Sequence, residues 1–128
     1  MIDEIVAHAT EEAPNECCGM IGGRDGGATT LYRAANAEAS PLRYVVDPHD
    51  QLRIMNEIEQ RGEELAAIYH SHTGSRAYPS QTDINLAEAW PEPLYVICSI
   101  TDPDAPDVRA FAIRDGGVEE SPIEIAPG

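Results

Sequence analysis

The chain has 128 residues, 42% of them hydrophobic, which fits one domain with its own core and argues against disorder. Its formal net charge of −15 disfavours nucleic acid and anionic membrane as partners, because both need a cationic surface; solubility, or steering of a basic partner, fits better. No apolar run approaches the ~20 residues of a membrane helix, the acidic start Met1-Ile2-Asp3-Glu4 is unlike a signal peptide, and three cysteines with no Cys-x-x-Cys spacing suggest a reducing compartment. A soluble cytoplasmic protein is the expectation.

Residues 2–13 read as an amphipathic helix, with Ile2, Ile5, Val6 and Ala9 on one stripe and Pro14-Asn15 as its end. Glu16 to Gly23 is a short apolar run suited to a buried strand. Asp25-Gly26-Gly27 turns it into a second strand, Thr29 to Arg33. A polar loop follows, then a short strand from Arg43 to Val46. Asp47-Pro48 opens a second helix, Asp as N-cap and Pro at the first helical position, with Gly62 at its end. Leu52 and Met55 mark one stripe of that helix, Ile54 and Ile58 another.

Leu65 to Tyr69 is a continuous apolar run, the pattern of a central strand covered on both faces. A third helix runs from about Ser80 to Ala89, broken by Pro91 and Pro93. Leu94 to Ile100 and Val108 to Arg114 read as strands, and Asp115-Gly116-Gly117 turns into a last strand, Val118 to Ile125. The order is α-β-β-β-α-β-α-β-β-β, without repeat or linker. It predicts an α/β (α+β) fold, a single mixed sheet flanked by helices, in one domain over 1–128.

The central strand delivers His70 and His72 to one face, since strand side chains repeat every two residues. Asp83 can return to them if the intervening loop folds back. Two imidazoles and a carboxylate form a three-ligand zinc set that leaves one position open, the mark of a catalytic site. Ser80-x-x-Asp83 also matches a capping box, which would start a helix without any metal and could equally hold Asp83 in place for one. Glu16, out of keeping with the apolar run it precedes, either ends a loop in solvent or faces a cleft as a proton acceptor. His8 and His49 read as surface residues, and Trp90 as a packing residue.

The pattern Glu16 … His70-Ser71-His72-x7-Ser80-x2-Asp83 resembles the JAMM (MPN+) zinc metallopeptidase motif without a gap. Pro14-Asn15-Glu16-Cys17-Cys18-Gly19 and Ala77-Tyr78-Pro79-Ser80 are similar to its short bacterial Mec+ type. The resemblance implies a JAMM/MPN-like (cytidine-deaminase-like) fold. It implies zinc held by His70, His72 and Asp83, Glu16 as general base and then acid, and Ser80 as a hydroxyl facing the water and the developing oxyanion. It further implies a substrate: a small ubiquitin-like sulfur-carrier protein of the CysO type ending in Gly-Gly, from which cysteine is released. The chain lacks room for the insertions that grip polyubiquitin. Two other readings stand beside this one, an isopeptidase removing ubiquitin-like modifiers from protein lysines and a non-catalytic MPN scaffold. A homodimer is compatible with the sequence but not specified by it.

Overall fold

A computed structural model describes residues 1–123. The elements are α1 (Ile2–Glu12), β1 (Cys18–Arg24), β2 (Gly27–Ala34), α2 (Pro48–Gln60), β3 (Glu64–His72), α3 (Gln81–Ala87), β4 (Leu94–Ser99), β5 (Asp107–Arg114) and β6 (Gly117–Ser121). The six strands form one sheet in the order β2-β1-β3-β4-β5-β6, with only β3 and β4 parallel. This is the mixed sheet flanked by helices that the sequence predicts.

Both hairpins turn on Asp-Gly. Asp25 and Gly26 link Arg24 to Gly27, and Asp115 and Gly116 link Arg114 to Gly117. All four linking residues take positive φ, between 53° and 81°, which Asp tolerates and Gly prefers. Asp47 caps α2 by accepting the Asp50 N–H at 3.1 Å, with Pro48 as the first helical residue.

The sheet separates two apolar layers. On one face Ile5 and Ala9 of α1 pack on Cys17, Ile21, Ala67, Tyr69, Val96 and Cys98. On the other, Ile54 and Ile58 of α2 and Ala87 of α3 pack on Met20, Ile68, Tyr95, Ile97 and Phe111. Trp90 packs against this second layer, as expected.

Four expectations are corrected. Arg43 to Val46 is not a strand: it contributes one isolated bridge, Asn36 to Val46. The Asn36 side chain takes the place of a neighbouring strand there, donating to the Arg43 carbonyl at 3.1 Å and accepting the Val45 N–H at 3.0 Å. His8 is not a surface residue but 4% exposed, because its Nδ1 meets the Tyr69 hydroxyl at 2.7 Å and the imidazole thereby becomes part of the packing face of α1. Leu52 is 65% exposed, since α2 turns its Ile54–Ile58 stripe to the sheet, with Met55 partly buried beside it. The last strand ends at Ser121, and the part of that expectation beyond residue 123 lies outside the described residues.

Gly19 fixes how closely β1 and β3 approach. A Cβ there would lie 2.3 Å from the Tyr69 ring and 2.5 Å from the Tyr32 carbonyl oxygen. The ring cannot swing away freely, because its hydroxyl is bound to His8. Gly19→Ala should therefore cost about 3 kcal/mol or more of stability, the upper range for overpacking. Gly74→Ala, where nothing lies within 4 Å, should change it by under about 0.5 kcal/mol. Chemical denaturation of the two variants checks the contrast.

Candidate metal centre

The site forms where β1, β3 and the start of α3 meet. Antiparallel pairing sets Cys18 opposite His70. The Ser71 N–H donates to the Cys17 carbonyl at 3.1 Å and Ser71 Oγ accepts the Cys17 N–H at 2.8 Å, so the pairing runs on past the end of β1. One residue further, Glu16 comes level with His72, and opposed residues of an antiparallel pair share a face. The Glu16 backbone is held on its other side as well. Its N–H donates to the Ser40 carbonyl at 2.9 Å, and its carbonyl accepts from the Asn36 amide at 3.1 Å.

α3 supplies Asp83. Ser80 is the N-cap, with Oγ accepting the Asp83 N–H at 3.1 Å while Asp83 Oδ2 accepts the Ser80 N–H at 2.9 Å. The capping box and the ligand reading thus use the same carboxylate. Asp83 Oδ2 lies 3.1 Å from His70 Nε2 and 3.0 Å from His72 Nε2, and the two Nε2 atoms are 3.1 Å apart. All three side chains are buried.

These distances fit a metal. Zinc bonds of about 2.0–2.1 Å in a tetrahedron separate neighbouring ligand atoms by roughly 3.3 Å, close to the triangle seen here. The donor set, two imidazoles and one carboxylate, suits a divalent ion with an open position. His72 Nδ1–H donates to the Arg76 carbonyl at 2.8 Å, which leaves the lone pair of the neutral ring at Nε2, inside the triangle. Tyr44 stacks on His70 with centroids 4.3 Å apart and planes at 18°, fixing that ring.

The surroundings set the charges. Burial pulls the His70 imidazole below its ordinary pKa and keeps it neutral, against the pull of Asp83. Burial also opposes charge on His72, but hydrogen bonds to Asp83 and the Arg76 carbonyl outweigh it and raise that group. Burial pushes Asp83 up, yet hydrogen bonds from the two histidines and the Ser80 N–H hold it well below the carboxylate range.

Glu16 behaves oppositely. It is 4% exposed, its Oε1 has no hydrogen-bond partner, and desolvation pushes its carboxyl up to about 7, against the pull of His72. The other buried glutamate, Glu63, shows what a structural carboxylate looks like: it accepts from the hydroxyls of Thr29, Thr30 and Tyr32. Of these two buried acids only Glu16 is left with an unengaged oxygen.

The structure therefore gathers His70, His72 and Asp83 into one cluster, caps α3 with Ser80, and buries Glu16 beside them. His49 is exposed. Four contributors went unnoticed in the sequence: Ser71 Oγ, the Asn36 amide, the Arg76 carbonyl and the Tyr44 ring. Ser71 could have been suspected from its place between the histidines. A main-chain carbonyl carries no sequence signal.

Comparison with known proteins agrees with this geometry. A family model described as prokaryotic homologs of the JAB domain matches residues 1–114. The chain belongs to that family. It is 38% identical over 127 residues to the CysO-cysteine peptidase of Mycobacterium tuberculosis, covering 98% of this chain and 86% of that protein. It is 36% identical over 132 residues to the desampylase of Haloferax volcanii, covering 97% and 89%. Among solved structures, protein DSY2949 from Desulfitobacterium hafniense superposes with a TM-score of 0.88 at 33% identity, over 99% of this chain and 89% of that one.

The capping box gives a test of how Asp83 is held. Ser80→Ala should remove about 1 kcal/mol of stability and, if Asp83 is a metal ligand, weaken the binding of added zinc about tenfold, the lower range for a group supporting a ligand. Ser80→Thr should restore both. Thermal unfolding and zinc titration against a competing chelator read the two effects. Lower stability with unchanged zinc affinity would mean that the histidines alone hold Asp83.

Proposed function

We propose that the chain, acting as one domain over 1–128, is a zinc-dependent peptidase that cleaves after the C-terminal glycine of a small ubiquitin-like sulfur-carrier protein and releases cysteine. The observation that carries this reading is a complete His70-His72-Asp83 donor triangle beside a buried, unengaged Glu16 with a pKa raised to about 7. A bound zinc ion would supply Lewis acidity for the scissile carbonyl and lower the pKa of water to about 7.

The chain's own residues do the rest. Glu16 accepts a proton from the attacking water and donates it to the departing amine; a carboxyl near neutrality can do both. The water oxygen forms the new bond to carbon, the carbon–nitrogen bond breaks, and the proton ends on the amine. Ser80 Oγ accepts the Asp83 N–H, so its own proton stays free to donate to the developing oxyanion. His72, oriented by the Arg76 carbonyl, and His70, stacked under Tyr44, keep their donor atoms fixed through the cycle.

The substrate class comes from the relatives. One is named a CysO-cysteine peptidase, and its similarity spans nearly the whole chain. The similarity to a desampylase supports the second reading, an isopeptidase that removes a ubiquitin-like modifier from protein lysines. A non-catalytic scaffold is disfavoured by the full ligand set. A cytoplasmic setting belongs to the same proposal: Cys17, Cys18 and Cys98 are free thiols, and no helix among the described residues is long and apolar enough to cross a membrane. Homodimerisation is compatible with all of this, and sedimentation would report it.

Glu16→Gln should still bind one zinc yet lose about 10²–10⁴ in turnover. Zinc titration and cleavage of a carrier–cysteine adduct measure the two. Wild-type turnover in that variant would overturn the assigned mechanism. Running the adduct beside a carrier–protein conjugate decides between the two leaving groups.

A further inference from the structure

Arg76 is the one cation in the segment between His70 and Asp83. Its guanidinium lies 4.6 Å over the Tyr78 ring, which in turn meets Phe111 edge-on at 5.5 Å. Arg76, Ala77, Tyr78, Asp107, Arg109 and Glu120 line a cavity of about 330 Å³. On its far wall one guanidinium stands between two carboxylates, Arg109 pairing with Asp107 at 2.8 Å and with Glu120 at 3.3 Å, so that no cation there is left unpaired. Among the described residues Arg76 makes no ion pair, and its guanidinium remains available.

The cavity stands beside the metal centre on the same face of the sheet. His72 pairs with Ser99, and Ser99 with Asp107. Two strand spacings put Asp107 roughly 10 Å from His72, more than the ~3.6 Å that one residue spans, but Arg76 itself starts at the metal centre, its carbonyl 2.8 Å from His72 Nδ1. Across the site, beyond Tyr44 and His70, the surface changes character. The groove there is lined by Tyr44, Val45, Val46, Leu86 and Trp90, among other uncharged residues. No cation lines it.

We infer that Arg76 is a specificity residue that binds the free α-carboxylate of a single-amino-acid leaving group. This rests on the peptidase reading above. A chain with net charge −15 repels a carboxylate, so an approaching α-carboxylate needs a local cation. Arg offers a planar two-point match to it. A lysine within a protein carries no carboxylate at that place. Arg76 therefore favours release of a free amino acid over removal of a modifier from a protein.

The test uses a small ubiquitin-like protein ending in Gly-Gly-Cys, made once with a free C-terminal carboxylate and once as the C-terminal amide, at saturating zinc. Wild type should cleave the acid about 10- to 100-fold more efficiently than the amide, the range for a hydrogen bond to a charged group. Arg76→Ala should bring that ratio close to one, mainly by loss on the acid, and Arg76→Lys should recover part of it. A wild-type ratio of one, or an unchanged ratio in Arg76→Ala, overturns the role of Arg76 alone. Failure of wild type to cleave either form overturns the peptidase reading and this inference with it.

Discussion

The pairing of β1 with β3 is the contact on which the site depends. It joins segments more than forty residues apart and sets Cys18 against His70. Because the two strands are antiparallel, every further residue of pairing carries the N-terminal segment along the face where the histidines stand. The Cys17–Ser71 hydrogen bonds extend the ladder by one step, and Glu16 arrives beside His72. A shift of one residue would turn Glu16 to the opposite face, into the layer under α1. Gly19 permits the close approach that this register needs, with the Tyr69 ring lying across it.

The two site carboxyls are shifted in opposite directions. Asp83 is fed by two imidazoles and a backbone N–H, which favour its charged form. Glu16 is buried with little to answer it, which favours its neutral form. Environments that push paired carboxyls apart suit one to be a ligand and the other a proton carrier, the roles proposed for Asp83 and Glu16. The surrounding polar contacts support this division. Loop residues 36–40 hold the Glu16 backbone. The 73–79 loop is tied down by Ser99 and Thr101, whose hydroxyls donate to the Ser75 carbonyl at 2.6 and 3.0 Å. That tether keeps the next carbonyl, of Arg76, within reach of His72.

Most of the framework was legible in the sequence, because its signals are local. Asp-Gly turns fixed two hairpins, Asp47-Pro48 fixed the start of α2, and His70 and His72 two apart on an apolar strand marked the pair of imidazoles that the structure brings to Asp83. Ser80-x-x-Asp83 marked both the helix start and the carboxylate that meets the two histidines. What the residues alone left open was long-range: whether Glu16 faces solvent or cleft depends on strand register, and only the family resemblance bridged that gap. The failures have the same origin. His8 is polar on a helix and reads as exposed until Tyr69 answers it from across the sheet. Arg43 to Val46 has strand composition, but Asn36 takes over its backbone groups.

The His70-His72-Asp83 triangle could hold a metal ion, and the proposal is that this ion is zinc, next to Glu16. Anomalous diffraction from crystals of the zinc-loaded protein, recorded on both sides of the zinc absorption edge, tests it most directly. One strong peak is predicted within about 2.0–2.2 Å of His70 Nε2, His72 Nε2 and an Asp83 carboxylate oxygen. A peak at other residues, or none at these three, would contradict the account.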